Sequence, residues 1–231
     1  MKKVTRREFI IDSTKMTAGA VGAITFGSIG LLPDHPLAAK EKFLEINCGI
    51  EKAKGQKTLV AYASNSGSTG EVAGAIGQVL CESGVAVDVR LVKQVRDLSS
   101  YQTVVIGSAI YSGKWLPEAV DFIKKSQKVL SQIPVAYFLT CLTMYKSNDQ
   151  TRSKARSYLD PVVKMFPQVK PVDIGLFAGV LDYSKMSYMK AMIFKSKMKK
   201  KGVPEGDHRN WDAIRFWAKG LNSKLQILRK G

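Results

Sequence analysis

Five short apolar segments alternate with amphipathic stretches along most of this chain, and this alternation restricts its possible folds more than any other feature. The apolar segments are residues 57–63, 85–91, 103–107, 134–141 and 172–181. Each has the length of a buried strand, and apolar residues at helical spacing follow between them. Helices that connect parallel strands cover both faces of a sheet. The pattern therefore predicts an α/β fold, a doubly wound five-stranded parallel sheet.

Four of the connecting stretches are predicted helices. The first follows residue 69 and ends at Gly84, because glycine commonly terminates helices. The second has an apolar stripe made of Trp115, Ala119, Phe122, Ile123 and Leu130. A polar helix over residues 148–166 and a final amphipathic helix over 212–228 complete the pattern.

The composition is that of a soluble globular protein with one core, since 45% of the 231 residues are hydrophobic and 24% are charged. Lys and Arg number 36 against 19 Asp and Glu, so the formal net charge is +17. This surplus favours an anionic partner, and nucleic acid, an anionic membrane surface or an acidic small molecule all qualify. Charge alone does not choose among them.

Cysteine and histidine are scarce. The chain has three cysteines, Cys48, Cys81 and Cys141, in no CxxC arrangement, and two histidines. This excludes a CxxC redox pair and a structural zinc site, and we predict no metal centre. Cys81 and Cys141 fall within predicted apolar elements, so we interpret both as packing residues.

The first 39 residues have the order of an export signal. Arg6 and Arg7 precede Phe9, and residues 16–33 carry no charge. The pair resembles a twin-arginine translocation signal. This resemblance implies that the protein is exported already folded and is then either periplasmic or tethered to the membrane. Alternatives are an ordinary basic N-terminus before a core helix, and a protein at the cytoplasmic membrane face. Residues 40–56 are then a predicted linker, and residues 57–228 the folded domain.

The loop after the first strand has the composition of a phosphate-binding loop. It consists of Ser64, Asn65, Ser66, Gly67, Ser68 and Thr69, and a helix follows at once. A helix N-terminus presents unpaired N–H groups, glycine lets a ligand approach closely, and hydroxyls add donors. Neither a Walker-type lysine nor a GxGxxG fingerprint is present. The alternative is a Ser/Thr-rich turn that only caps the helix.

The strand, the Ser/Thr-Gly loop and the helix over residues 59–69 resemble the FMN-phosphate loop of the flavodoxin family. Within it, residues 107–114, 122–125, 178–183 and Trp211 look like the quinone-dependent protoporphyrinogen IX dehydrogenases. The resemblance implies a flavodoxin-like fold with FMN at the ends of strands one, three and four. Beyond the phosphate loop it implies that the flavin ring lies between two segments, whose residues are Ala109, Ile110, Tyr111, Ser112, Gly113 and Lys114 in one and Thr140, Cys141 and Leu142 in the other.

Two residues of the first ring segment have specific expected roles. Tyr111 is predicted to stack on the flavin, with core packing as the alternative. Lys114 is predicted to place a cation near the ring, which favours two-electron chemistry. No residue is assigned as catalytic.

An insertion over residues 183–206 is strongly basic. Between Lys185 and Lys201 it has seven lysines and no acid, interleaved with methionines and aromatic residues. This mixture suits an anionic membrane surface, and a solvated charge run is the alternative. Nucleic acid is a less fitting partner because no recognition motif accompanies the lysines.

These features together predict an FMN-dependent oxidoreductase or electron-transfer flavoprotein that passes electrons to a membrane quinone. One alternative is a non-enzymatic electron carrier to a redox protein. Another is a flavodoxin-shaped binding module without flavin.

Overall fold

The computed structural model describes residues 45–48 and 57–230. The predicted export signal, residues 1–39, and most of the predicted linker lie outside them. The strands are β1 (Ile46–Cys48), β2 (Lys57–Ala63), β3 (Ala86–Leu91), β4 (Thr103–Tyr111), β5 (Lys114–Trp115), β6 (Val135–Thr140), β7 (Pro171–Phe177), β8 (Val180–Leu181) and β9 (Gly206–Asp207). The helices are α1 (Ser68–Glu82), α2 (Pro117–Leu130), α3 (Asp149–Ser157), α4 (Asp160–Met165), α5 (Tyr188–Lys200) and α6 (Trp211–Lys230).

Five parallel strands form the centre of the fold in the order β3-β2-β4-β6-β7. The chain starts in the interior of the sheet, adds one strand on one side and then three on the other. This is the 2-1-3-4-5 order of flavodoxin-like doubly wound sheets. The predicted five-stranded parallel α/β fold is confirmed.

Helices cover both faces of this sheet, which explains why its strands are continuously apolar. Along β2, Leu59 and Ala61 face one cluster of buried residues, and Val60 and Tyr62 face the other. The first cluster is closed by α2, α3 and α4, and the second by α1 and α6. All four of these β2 side chains are fully buried.

Three predicted boundaries were wrong for local reasons. Trp115 belongs to β5 and not to a helix, because Pro117 begins α2. The predicted helix 148–166 is two helices, since Pro161 sits in the first turn of α4. The predicted strand 172–181 ends at Phe177, and residues 180–181 form β8 in a separate two-stranded ladder with β9.

Residues 46–48 fall within the predicted linker 40–56, yet they form β1, which pairs antiparallel with β3 at the sheet edge. This strand places Cys48 beside α1, and a disulfide joins Cys48 to Cys81 with their Cα atoms 6.2 Å apart. The interpretation of Cys81 as a packing residue was therefore wrong. A three-residue edge strand has no apolar pattern long enough to reveal it in the sequence.

The insertion, residues 183–206, contains a short 3₁₀ turn (Tyr183–Lys185) and α5; β8 ends just before it, and β9 begins at its last residue. β8 and β9 pair with each other, so the two ends of the insertion lie close together on the domain. Within the described part of the chain, no helix combines the length and the apolar character that crossing a membrane requires.

Candidate functional site

The strand register brings the predicted site segments to one edge of the sheet. Ala63 at the end of β2 lies opposite Ser108, and Ala109 lies opposite Thr140. Thr140 in turn lies opposite Phe177 at the end of β7. The segments that follow β2, β4 and β6 therefore emerge side by side at the carboxyl edge, where doubly wound sheets bind their ligands.

The loop between β2 and α1 turns sharply at Gly67, which has a φ of +83°. Its amide donates to the Ser64 hydroxyl oxygen at 3.0 Å. Gly67 is also the N-cap of α1, and no side chain of the described loop caps that helix. The alternative reading of this loop, hydroxyl side chains that merely cap α1, does not match this geometry.

One hydroxyl of the loop is already engaged. Thr69 and Thr140 are both buried, and their hydroxyl oxygens are 2.8 Å apart. Thr69 therefore links the phosphate-type loop to the end of β6. Ser64, Ser66 and Ser68 are partly exposed, as an accessible loop requires, and Asn65 is exposed.

The first ring segment is a tight hairpin. Ser112 and Gly113 both have positive φ, at 51° and 78°, and they connect β4 to β5. The turn sets Tyr111 directly opposite Lys114. Tyr111 is 58% exposed, so its alternative role as core packing does not match the structure. The hairpin therefore carries an exposed tyrosine and an exposed lysine at paired positions.

A cavity of about 660 Å³ opens beside this hairpin. Of the predicted site residues, Ile110, Ser112, Gly113, Cys141 and Leu142 line it, whereas residues 64–69, Ala109, Tyr111, Lys114 and Thr140 do not. Thr140 and Cys141 are adjacent in the chain, and they connect the two parts: Thr140 bonds to the loop and Cys141 faces the cavity.

The remaining walls come from segments that the sequence did not assign to the site. They are Thr143, Tyr145, Lys146, Asn148, Thr151, Lys154, Tyr158, Phe194, Lys197, Met198, Lys201 and Val203. Four of them are lysines, and none of the described lining residues is acidic. The cavity thus combines apolar and aromatic walls with positive charge. Its volume is within the usual range of about 300–1,000 Å³ for small-molecule sites.

Cys141 lines the cavity but is buried, 6% exposed. Burial raises the pKa of its thiol, against smaller opposing effects of hydrogen bonds with Met144 and Thr143. The thiol is therefore protonated at neutral pH and a poor nucleophile. This agrees with its interpretation as a packing residue.

Two cations from the insertion and its exit reach the loop between β2 and α1, and sequence reasoning missed both. The Lys185 ammonium donates to the Ser66 carbonyl at 2.9 Å. Arg209 donates to the Ser68 carbonyl at 3.1 Å and to Glu71 at 3.0 Å. These residues are more than 110 positions from the loop, so only the fold brings them there.

The insertion and the residues that directly follow it also approach the other side of the site. The rings of Tyr145 and His208 meet edge to face at 4.6 Å between centroids. Phe194 and Met198 of α5 face the cavity, and Met198 is buried. The predicted insertion is therefore one wall of the site.

The donor chemistry of this edge fits FMN. The loop offers hydroxyls, backbone N–H groups and a helix N-terminus without a carboxylate of its own, which suits a phosphate. The cavity offers Ile110, Leu142 and Tyr158 to a flat apolar ring. The residues present are thus compatible with the predicted cofactor at both of its ends.

Strand order, a Ser/Thr-Gly loop at the first helix and a cavity at the carboxyl edge define a flavodoxin-type domain. The family model described as a flavodoxin domain matches residues 59–206, and the chain belongs to that family. Among curated proteins, the protoporphyrinogen IX dehydrogenase (quinone) of Escherichia coli K12 is 29% identical over 176 residues, covering 74% of this chain and 94% of the relative.

The protein of the same name from Leishmania major is 27% identical over 173 residues, covering 70% of this chain and 73% of the relative. Among solved structures, a flavodoxin from the domain Archaea aligns with a TM-score of 0.41 and 17% identity, over 74% of this chain and 99% of that one. The chain is thus a flavodoxin-domain protein with homology to oxidoreductases of the protoporphyrinogen dehydrogenase group.

Proposed function

We propose that this protein is an FMN-dependent oxidoreductase that passes electrons to a membrane quinone. The observation that carries the proposal is the meeting of a phosphate-type loop and an aromatic-lined cavity at one sheet edge, joined through Thr140 and Cys141. The names of the relatives in Escherichia coli and Leishmania major include both the dehydrogenase activity and the quinone.

In this proposal, Ser64–Thr69 hold the phosphate and the segments at Ala109–Lys114 and Thr140–Leu142 hold the ring. Bound FMN supplies two-electron oxidation and reduction. The chain positions the ring beside Tyr111, excludes water with Ile110 and Leu142, and keeps the Cys141 thiol protonated. In each turnover the reduced organic donor loses two electrons and two protons, and one quinone takes up both pairs to become a quinol.

The charge of the cavity supports a substrate with carboxylate groups. Lys146, Lys154, Lys197 and Lys201 line it without an acid among the described lining residues. Protoporphyrinogen IX, which the relatives' names include, carries such groups. We therefore propose it, or an acid of similar size and shape, as the electron donor.

The absorption spectrum of the purified protein tests the cofactor, and turnover tests the activity. We expect a yellow protein that oxidises protoporphyrinogen IX with a short-tailed quinone analogue as acceptor and without a protein partner. A yellow protein without this turnover would favour an electron carrier that works with a redox protein. A colourless protein that takes up no FMN after refolding would favour a binding module without flavin.

We further propose that α5 docks on an anionic membrane. Its outward apolar side chains, Tyr188, Met189, Met192 and Ile193, are 53–80% exposed. Lysines surround them, whereas Phe194 and Met198 face the cavity on the opposite side. Such a helix can place apolar side chains in the interface and ammonium groups at headgroups. This arrangement would set the cavity close to the membrane that holds the quinone.

Vesicle binding tests this docking. The double variant Met192→Gln, Ile193→Gln should bind anionic vesicles at least about tenfold more weakly, because two apolar side chains no longer leave water. Phe216→Gln is the matched control, since Phe216 is 80% exposed on α6, outside the insertion. Equal losses in the two variants, or no loss in either, would contradict docking through α5.

The proposed location is outside the cytoplasm, exported through the twin-arginine route. The Cys48–Cys81 disulfide supports it, because disulfides persist in oxidising compartments. Trapping free thiols in intact cells tests the proposal: a disulfide-bonded protein is expected, and a protein with three free thiols would contradict export.

A further inference from the structure

Arg209, two residues after β9, is buried against the loop that we propose for the FMN phosphate. Its side chain is 2% exposed, and it donates to the Ser68 carbonyl at 3.1 Å and to Glu71 at 3.0 Å. The guanidinium also lies over the Trp211 ring, 4.4 Å from its centroid, a geometry that attracts a cation. Arginine is rarely buried to this extent unless it is paired. Arg209 therefore joins the exit of the insertion to the first residues of α1 and α6.

Asp207, in β9, fixes the orientation of this guanidinium. The Nε and Nη2 groups of Arg209 donate to the two carboxylate oxygens of Asp207 at 2.8 and 2.7 Å, a bidentate arrangement that restricts both position and plane. Burial lowers the pKa of Arg209, but its contacts with Asp207 and Glu71 outweigh that effect and raise the pKa above its ordinary value. The side chain is therefore a fixed cation with a defined direction.

The bond to Ser68 bears on a backbone N–H group of the proposed phosphate loop. The peptide unit between Ser68 and Thr69 is planar and trans, so its C=O and N–H bonds point in opposite directions. Because Arg209 holds the carbonyl, it also sets the direction of the Thr69 N–H, toward the open end of α1. The two amides that follow donate to the Gly67 carbonyl, whereas the first N–H groups of a helix have no acceptor within it. Arg209 thus orients an N–H group that a phosphate at this end can use.

Glu71 gives the charge of Arg209 a second consequence. This carboxylate lies in the first turn of α1, and its side chain is 54% exposed. A carboxylate at the same end of the helix as a bound phosphate would repel that phosphate. The guanidinium lies 3.0 Å from the Glu71 carboxylate, so its opposite charge offsets the repulsion.

We propose that Arg209 is a positioning residue of the phosphate site, which orients the peptide unit between Ser68 and Thr69 and neutralises Glu71. The inference rests on the proposed function. It requires no contact between Arg209 and FMN, because both effects act through groups of the loop and of α1. It also gives the exit of the insertion a role at the cofactor end that lies far from the cavity wall formed by α5.

Titration of the apoprotein with FMN and with riboflavin, which lacks the phosphate, tests the role of Arg209. Arg209→Met should weaken FMN binding about tenfold or more, as expected for loss of hydrogen bonding to a charged group, and change riboflavin binding much less. Arg209→Lys should have an intermediate effect, because lysine keeps the charge but not the bidentate fork. Arg215→Met is the matched control: it removes the same charge from an exposed ion pair with Asp212 on α6.

A double-mutant cycle with Glu71→Gln tests the neutralisation. In the unsubstituted protein, Glu71→Gln should change the affinity for FMN less than about threefold, because Arg209 already offsets this partly exposed charge. In the Arg209→Met background, Glu71→Gln should restore part of the lost FMN affinity and leave riboflavin binding unchanged. An equal effect of Glu71→Gln in the two backgrounds would mean that the residues act independently, which would overturn the inference.

The other outcomes are distinguishable. Equal weakening of FMN and riboflavin by the Arg209 variants would assign Arg209 to the general stability of the fold, and equal loss in Arg215→Met would indicate a general charge effect. Unchanged FMN binding in Arg209→Met would exclude the positioning role. If Arg209→Met does not fold in urea-unfolding controls, Arg209→Lys replaces it in both experiments, with a loss of roughly threefold expected for FMN over riboflavin. Absence of FMN binding by the unsubstituted protein would overturn the proposed function itself.

Discussion

The two ends of the candidate site are built in different ways. The end proposed for the phosphate, called the phosphate end below, is one loop of six consecutive residues, 64–69, directly between β2 and α1. The cavity end is assembled from the β4–β5 hairpin, the segment after β6, α3, and the insertion with α5. A ligand end made by one continuous segment depends on local backbone geometry, whereas an end made by several segments depends on tertiary packing.

Among the changes that test this comparison, removal of the Cys48–Cys81 disulfide should have the largest effect on stability. The disulfide fastens the edge strand β1 to the C-terminal part of α1, the helix that begins at the phosphate loop. Replacing both cysteines by serine should lower the free energy of unfolding by about 2–4 kcal/mol, as for removal of a native disulfide. Urea unfolding with and without reductant measures this change.

The double variant is also the control for the reductant. Reductant should destabilise the unsubstituted protein and leave the serine variant unchanged, because Cys141 forms no disulfide. If reductant leaves the unsubstituted protein as stable as before, the covalent link contributes nothing. If the serine variant instead exposes the Cys141 thiol while its free energy of unfolding is unchanged, the disulfide supports the cavity end and not the phosphate end.

The sequence alone predicted those parts of the structure that depend on residues close together in the chain. The apolar segments predicted all five central strands, because strands buried on both faces are continuously apolar. Gly84 predicted the end of α1, and it has the positive φ of +86° that helix termination favours. The same logic predicted a loop over residues 64–69 before a helix, since small residues in this position have a local signature, and its role in phosphate binding stays a prediction.

The sequence did not predict those parts of the structure that depend on contacts between distant segments of the chain. Nothing in the sequence near residue 185 indicates that its side chain lies against Ser66, 119 positions away. The disulfide was missed because β1 has three residues and too little pattern. The wall formed by α5 was missed because a helix with apolar residues on both sides shows no single buried face in its sequence.

Gly67 tests the phosphate end by itself. It has a φ of +83°, a conformation that costs an alanine about 1–2 kcal/mol. Gly67→Ala should therefore lower both the stability and the affinity for FMN, with a smaller effect on riboflavin. Gly84→Ala is the matched control, because Gly84 has nearly the same φ at the other end of α1 and there is open space where an added Cβ would lie.

The comparison of these two glycines separates strain from function. Both variants should lose similar stability in urea unfolding, but only Gly67→Ala should lose phosphate-dependent affinity. If Gly84→Ala weakens FMN binding as much as Gly67→Ala, the loss reflects helix strain and not the loop. If neither variant binds FMN less well, the phosphate does not sit at this loop.

Tyr111 tests the cavity end, where the smallest effect is expected. Its ring is exposed at the hairpin, so replacement by alanine removes few native contacts and should leave the stability within about 0.5 kcal/mol. Loss of a stacking partner should weaken flavin binding by about 0.5–1.5 kcal/mol. Because stacking involves the ring and not the phosphate, the affinities for FMN and for riboflavin should fall by the same amount, in contrast to Gly67→Ala.

Tyr188→Ala is the control for this prediction. Tyr188 is an exposed tyrosine on the outer side of α5, so its replacement should leave the affinity for both flavins unchanged. A loss for FMN alone in Tyr111→Ala would mean that the hairpin acts on the phosphate, and the two ends of the site would then not be independent.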